Sequence, residues 1–143
     1  RSGVDEALMA QMTPIEKFFG KGLNGRYYYP ITYDDIYSPW GGWRYGSETG
    51  FYNIVLKGGY LMAFVYILLL AIPAIKGLLM SNNILCKAGG FYILLSLVEL
   101  YPFGWLAFNM KFLIIWMFVA MLGSRSIRHM NDIQIYNMFF NKQ

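Results

Sequence analysis

The sequence predicts an all-α integral membrane protein, with about three transmembrane helices behind an irregular extracytoplasmic loop region. Three observations carry this. The 143 residues are 57% hydrophobic and 19% aromatic but only 14% charged, with mean hydropathy +0.37, against roughly 45–50% apolar and about 25% charged in soluble domains. The charges divide the chain: up to Lys57 basic and acidic residues balance, whereas beyond Gly59 the only acids are Glu99 and Asp132. Long uncharged tracts fill that second part. This excludes an ordinary soluble domain and a disordered tail. It also excludes a nucleic-acid binder, because the formal net charge of +4 is scattered rather than gathered on one face. A single cysteine, Cys86, rules out an intrachain disulfide framework, and a single histidine, His129, offers no partner for a two-histidine metal site. No metal site is expected.

In chain order, residues 1–58 read as the extracytoplasmic region. A helix is expected near 4–19, and Gly20-Lys21-Gly22-Leu23-Asn24-Gly25 reads as a glycine-rich turn leaving it. The same six residues spell the dinucleotide-binding fingerprint. That motif needs a preceding strand and a following helix, and Arg26-Tyr27-Tyr28-Tyr29-Pro30 opens no helix. Ser47-Glu48-Thr49 reads as a helix start with Ser47 as cap. The first span is placed at about 59–79, where Gly58 to Ile75 carry no charge, about the minimum for a bilayer; Pro73 is expected to kink it or mark its exit. The second span is placed at about 84–101 and the third at about 105–123. A short turn with Pro102 and Gly104 separates them.

Lysines and arginines orient these spans. Lys76 and Lys87 flank the first connection, and Arg125, Arg128 and Lys142 follow the third span, so both segments are expected to be cytoplasmic and residues 1–58 outside. The tail 125–143 is expected to be an amphipathic surface helix from Asn131. Ile133, Tyr136 and Phe140 form its apolar stripe, Asn131 or Asp132 its cap, and Arg125, Arg128 and Lys142 face anionic headgroups. An outside N-terminal region must be translocated, yet residues 1–25 hold no signal peptide and start with Arg. The expectation is therefore the C-terminal part of a larger polytopic bundle.

Several residues are candidates for chemistry. Tyr27, Tyr28, Tyr29, Tyr33, Tyr37, Trp40, Trp43, Tyr45, Phe51 and Tyr52 crowd one loop region. They suit either an interfacial aromatic belt or a sugar-stacking surface, and both readings stay open. Asp34-Asp35 reads as a solvated turn. Arg44 and Glu48, four apart, read as a surface ion pair. Glu99 and Lys111 are the ionisable residues inside or near the bilayer, where a charge is costly and points to function unless it snorkels to the interface. Lys111 is expected in the outer half of the third span, facing the bundle or a wet cavity.

These segments together resemble the C-terminal part of the O-antigen polymerase and ligase superfamily. The resemblance rests on Phe19-Gly20-Lys21-Gly22-Leu23, a variable polar loop, and Glu48 leading into a long apolar helix with Gly58-Gly59. The tail Ser124-Arg125-Ser126-Ile127-Arg128-His129-Met130-Asn131-Asp132 is similar to the basic endings of polymerase-like members. Where that family has a His-Asn pair at the helix start, eleven residues before a glycine, this chain has Glu48-Thr49. The missing histidine points to a repeat-unit polymerase rather than a ligase.

The resemblance implies a cofactor-free, metal-independent, inverting glycosyltransferase of the bacterial inner membrane, polymerising oligosaccharide repeat units carried on undecaprenyl diphosphate. The implied partners are that lipid-linked glycan, membrane lipids and other polysaccharide-assembly proteins. Glu48 would be the catalytic base, since an acceptor hydroxyl needs one within hydrogen-bond reach. Arg26, Arg44 and Lys111 would hold the diphosphate, with Tyr28 and Trp43 against the sugar. Ligase-type transfer to a lipid acceptor is the alternative; a transporter or a non-catalytic membrane subunit is the bland one.

Overall fold

The computed structural model describes residues 2–30, 41–102 and 110–140. They are mostly helical: α1 (Ser2–Ala10), α2 (Pro14–Phe19), α3 (Gly50–Leu79), α4 (Ile84–Glu99), α5 (Met110–Gly123), α6 (Arg125–His129) and α7 (Asp132–Phe140), with two short strands, β1 (Tyr27–Tyr28) and β2 (Trp43–Arg44). The chain forms two compact units. The first comprises residues 1–66 and 100–106, the second residues 67–99 and 107–143.

In the first unit, the helix expected over 4–19 is two helices. Pro14 cannot continue a helix because it lacks an amide donor, and Thr13 starts a new one. The Thr13 hydroxyl accepts from the Glu16 amide, and Glu16 reaches back to the Thr13 amide at 2.8 Å, a reciprocal cap. These bonds hold the Glu16 carboxyl below the usual carboxylate range. On α1, Val4 and Leu8 recur at one turn and continue in Met12, and this stripe packs with Tyr27, Ile54, Val55, Leu56, Ala63 and Leu100 to form the core.

α3 is the one described helix long and apolar enough to cross a membrane. Its backbone breaks at Gly59 (φ 69°, ψ −175°), not at Pro73, which lies within the helix; the positive φ is one that glycine adopts without strain. A break removes amides that would have bonded the carbonyls one turn earlier. The glycine-rich turn replaces them: Lys21 donates its amide to the Leu56 carbonyl at 2.8 Å and Gly22 to that of Lys57 at 3.1 Å. Beyond the break, the twenty residues Tyr60 to Leu79 would extend about 30 Å.

In the second unit, glycines let helices approach closely. A side chain at Gly90 would lie 2.7 Å from the Ala74 carbonyl, and one at Gly77 would meet Leu122 and the Cys86 carbonyl. The turn after α3 carries Asn83, which is 1% exposed. Its carbonyl oxygen caps α4 by accepting from the Cys86 amide at 2.8 Å, while its amide donates to the carbonyls of Ile127 and Met130 at 2.9 and 3.0 Å.

The tail differs in detail from expectation. Asn131 caps α7, exchanging hydrogen bonds with Gln134 at 2.8 and 2.9 Å. Asp132 caps α4 instead, accepting from the Ile84 amide at 2.8 Å. Arg128 is buried rather than facing headgroups: it donates to the Leu122 and Gly123 carbonyls at the end of α5, where a cation complements the helix dipole. α7 buries Ile135 and leaves Ile133, Tyr136 and Phe140 exposed. Lys142 lies outside the described residues, as does the start expected for the third span near Trp105.

Candidate functional site

Four of the six sequence-predicted site residues meet on one small hairpin. β1 and β2 pair antiparallel, with Tyr27 opposite Arg44 and Tyr28 opposite Trp43. Side chains alternate faces along a strand, and residues directly opposite share a face. One face is therefore Tyr27 with Arg44, and it turns to the core. The other carries Arg26, Tyr28 and Trp43, all exposed.

The exposed face is a cation on an aromatic step. The Arg26 guanidinium lies 4.7 Å from the Trp43 ring centroid, and Trp43 meets Tyr28 edge-to-face at 5.6 Å. Arg44 donates its Nε to the Tyr29 carbonyl at 2.9 Å and lies 5.9 Å from the Tyr29 ring centroid. Flat ring faces suit the apolar side of a pyranose. Guanidinium edges suit phosphate oxygens.

The inner face fastens the hairpin to the core. Tyr27 is fully buried and donates its hydroxyl to the Gly46 carbonyl at 3.1 Å. Burial pushes its phenol up to about 12, with Arg44 pulling it back and the carboxylates of Asp5 and Glu48 adding to the rise. Gln11 clasps Tyr28 from the other edge: its side-chain amide donates to the Tyr28 carbonyl and accepts from the Tyr28 amide, both at 2.8 Å. Sequence reading missed Gln11, whose role depends on a chain reversal between residues 11 and 28.

Glu48 is exposed and stands two residues before α3, so it and Arg44, a strand residue, do not share a helical turn. The residues around Glu48 are held firmly. The Ser47 hydroxyl donates to Asp5 at 2.5 Å, the Thr49 hydroxyl to the same oxygen at 3.4 Å, and Ser47 exchanges backbone hydrogen bonds with the Asn53 side chain at 2.6 and 2.7 Å. Ser47 was expected as the helix cap; it instead lies three residues ahead of α3. Asp5, 42 residues away in sequence, carries no local signal for this role.

Lys111 belongs to the second unit, where it is ion-paired with Glu99. Tyr33, Tyr37, Trp40 and Asp34-Asp35 lie outside the described residues. Among the described residues no group of three or more His, Cys, Asp or Glu side chains is assembled. No family model, no curated protein and no solved structure matches this chain.

Proposed function

We propose that this chain is part of a membrane-embedded glycosyltransferase that polymerises oligosaccharide repeat units from a polyprenyl diphosphate carrier, as in the O-antigen polymerase and ligase superfamily it resembles. In this reading α3, α4 and α5 span the bacterial inner membrane, the hairpin lies outside and α7 lies on the cytoplasmic surface. The observation that carries the reading is the exposed hairpin face, where the Arg26 guanidinium lies over Trp43 beside Tyr28. This pairs a sugar-stacking ring with a phosphate-binding cation at one place, as a glycan joined to diphosphate requires.

The chemistry assigned to the site is simple. Glu48 accepts the proton of the acceptor sugar hydroxyl as its oxygen attacks the anomeric carbon of the donor. The bond to the diphosphate breaks with its electron pair, and Arg26 and Arg44 hold the charge that develops on the leaving group. The bonding of Ser47 and Thr49 to Asp5 fixes the backbone on both sides of Glu48, which supports a positioned base.

The test is Glu48→Gln in the full-length protein expressed in a strain lacking its own copy. Normal membrane abundance with single, unpolymerised repeat units is the expected result, since general-base contributions run to about 10²–10⁴-fold. Wild-type polymer lengths would remove Glu48 from the mechanism. Arg26→Ala is expected to lower turnover by about 10–100-fold, the loss of one charge-assisted hydrogen bond.

A further inference from the structure

We propose that α2 and the glycine-rich turn form an interfacial anchor, seated in the same lipid leaflet in which the apolar part of α3 begins. This rests on the reading of α3 as a membrane span.

Four large apolar side chains stand in solvent within nine residues of sequence: Ile15 is 74% exposed, Phe18 51%, Phe19 61% and Leu23 89%. Ile15, Phe18 and Phe19 recur at three and four residues on α2, so they share one face, and the two phenylalanine rings meet edge-to-face at 4.9 Å. Three polar neighbours are already engaged. Thr13 and Glu16 cap each other, and Lys21 donates its ammonium to the Gln11 carbonyl at 2.9 Å. An exposed apolar cluster of this kind marks a surface that water does not cover in the working state.

The occupant follows from where the cluster is fastened. The Phe18 carbonyl abuts Gly59 so closely that any side chain at Gly59 would overlap it, and Gly20 packs against the backbone of Lys57 and Gly58. The cluster is therefore level with the first residues of the uncharged stretch, where Leu61, Met62, Phe64 and Val65 are exposed as well. Lys57, with its ammonium on the Gly25 carbonyl at 2.9 Å, is the last charge before that stretch. In a bilayer this height is the boundary between headgroups and acyl chains, where aromatic rings concentrate and where an apolar helix face can lie flat. The broken backbone at Gly59 is admissible there because protein amides, not lipid, satisfy the Leu56 and Lys57 carbonyls. The consequence is functional: Gln11, which clasps β1, stands three residues before α2, so an anchored α2 holds the hairpin face at the lipid surface, where a lipid-linked substrate presents its sugars.

The experiment places single cysteines in a Cys86→Ala background by Phe18→Cys, Leu23→Cys, Asn24→Cys and Phe64→Cys. Each full-length variant is labelled with an environment-sensitive fluorophore and reconstituted in phosphatidylglycerol–phosphatidylethanolamine vesicles with or without brominated acyl chains. Labels at positions 18 and 23 are expected to be quenched several-fold more than the label at 24, and as strongly as the label at 64. Quenching at 64 with none at 18 and 23 overturns the anchor while leaving the span intact. A shielded but unquenched label at 18 also overturns it, by showing that protein covers the face. No quenching even at 64 removes the span and the anchor together.

Discussion

The carbonyl of Leu56 accepts the amide of Lys21 at 2.8 Å, closing a contact between a glycine-rich turn and the N-terminal part of the longest described helix. That bond exists because Gly59 leaves helical conformation and frees the carbonyls of the preceding turn. The two glycine motifs, Gly20-Lys21-Gly22 and Gly58-Gly59, are thus one structural device.

Replacing Gly59 tests that device. Gly59→Ala faces both a left-handed φ, costing about 1–2 kcal/mol, and overlap with the Phe18 backbone, which cannot swing aside like a side chain. The expected loss is at least about 3 kcal/mol, seen as a large fall in Tm in detergent. Gly22→Ala meets a similarly positive φ of 79° but nothing within 4 Å, so it is expected to cost only about 1–2 kcal/mol. Equal effects of the two would contradict the packing argument.

Tyr27 sets an alkaline limit on the first unit. Its phenol is at about 12 when folded against 10.0 ordinarily, so between these values the folded state holds a proton that the unfolded state has released. Stability is then intact below pH 10 and falls as pH rises towards 12, by at most about 2.7 kcal/mol. Tyr27→Phe is expected to be slightly less stable at pH 8, by about 0.5–1.5 kcal/mol for the lost bond to Gly46, and to show a flatter decline above pH 10. Thermal unfolding at pH 8 to 11.5 reads both.

Asn83 joins the turn after α3 to the segment before α7. Asn83→Ala removes a helix cap and leaves two part-buried carbonyls without this donor, for a loss of about 2–3 kcal/mol. Asn83→Asp keeps the cap acceptor but loses both donors and buries a charge, so it is expected to be at least as damaging. Thermal unfolding of the two variants side by side checks the order.

The Glu99–Lys111 pair separates a membrane setting from an aqueous one. Both side chains are partly exposed, 42% and 46%, and in water such a pair is worth about 0.2–1 kcal/mol. In lipid the surrounding hydrocarbon raises the cost of leaving either charge alone. A double-mutant cycle with Glu99→Gln and Lys111→Met in bilayers is expected to give a coupling above about 1 kcal/mol. A value near zero would place the pair in water.

Much of this protein is written locally. Uncharged runs bounded by lysines, the Thr13-Pro14 step and the Asn131–Gln134 spacing specify where helices run, break and start, because backbone bonding within a turn depends on residues three or four apart. α3 and α4 run through the long apolar tracts, and α7 follows the cap at Asn131. The expected single helix over 4–19 overlooked only the proline rule. Tertiary structure decided the rest. Which strand faces the core depended on Tyr27 finding the α1 stripe. Arg128 went to the end of α5 rather than to solvent because orphan carbonyls there needed a donor. Asp5 came to steady the residues beside Glu48, and Gln11 to clasp Tyr28. Each of these joins groups far apart in sequence, and no local pattern marks them: a freed carbonyl or a buried hydroxyl takes whichever partner the fold brings within 3 Å, and that is known only once the helices have packed.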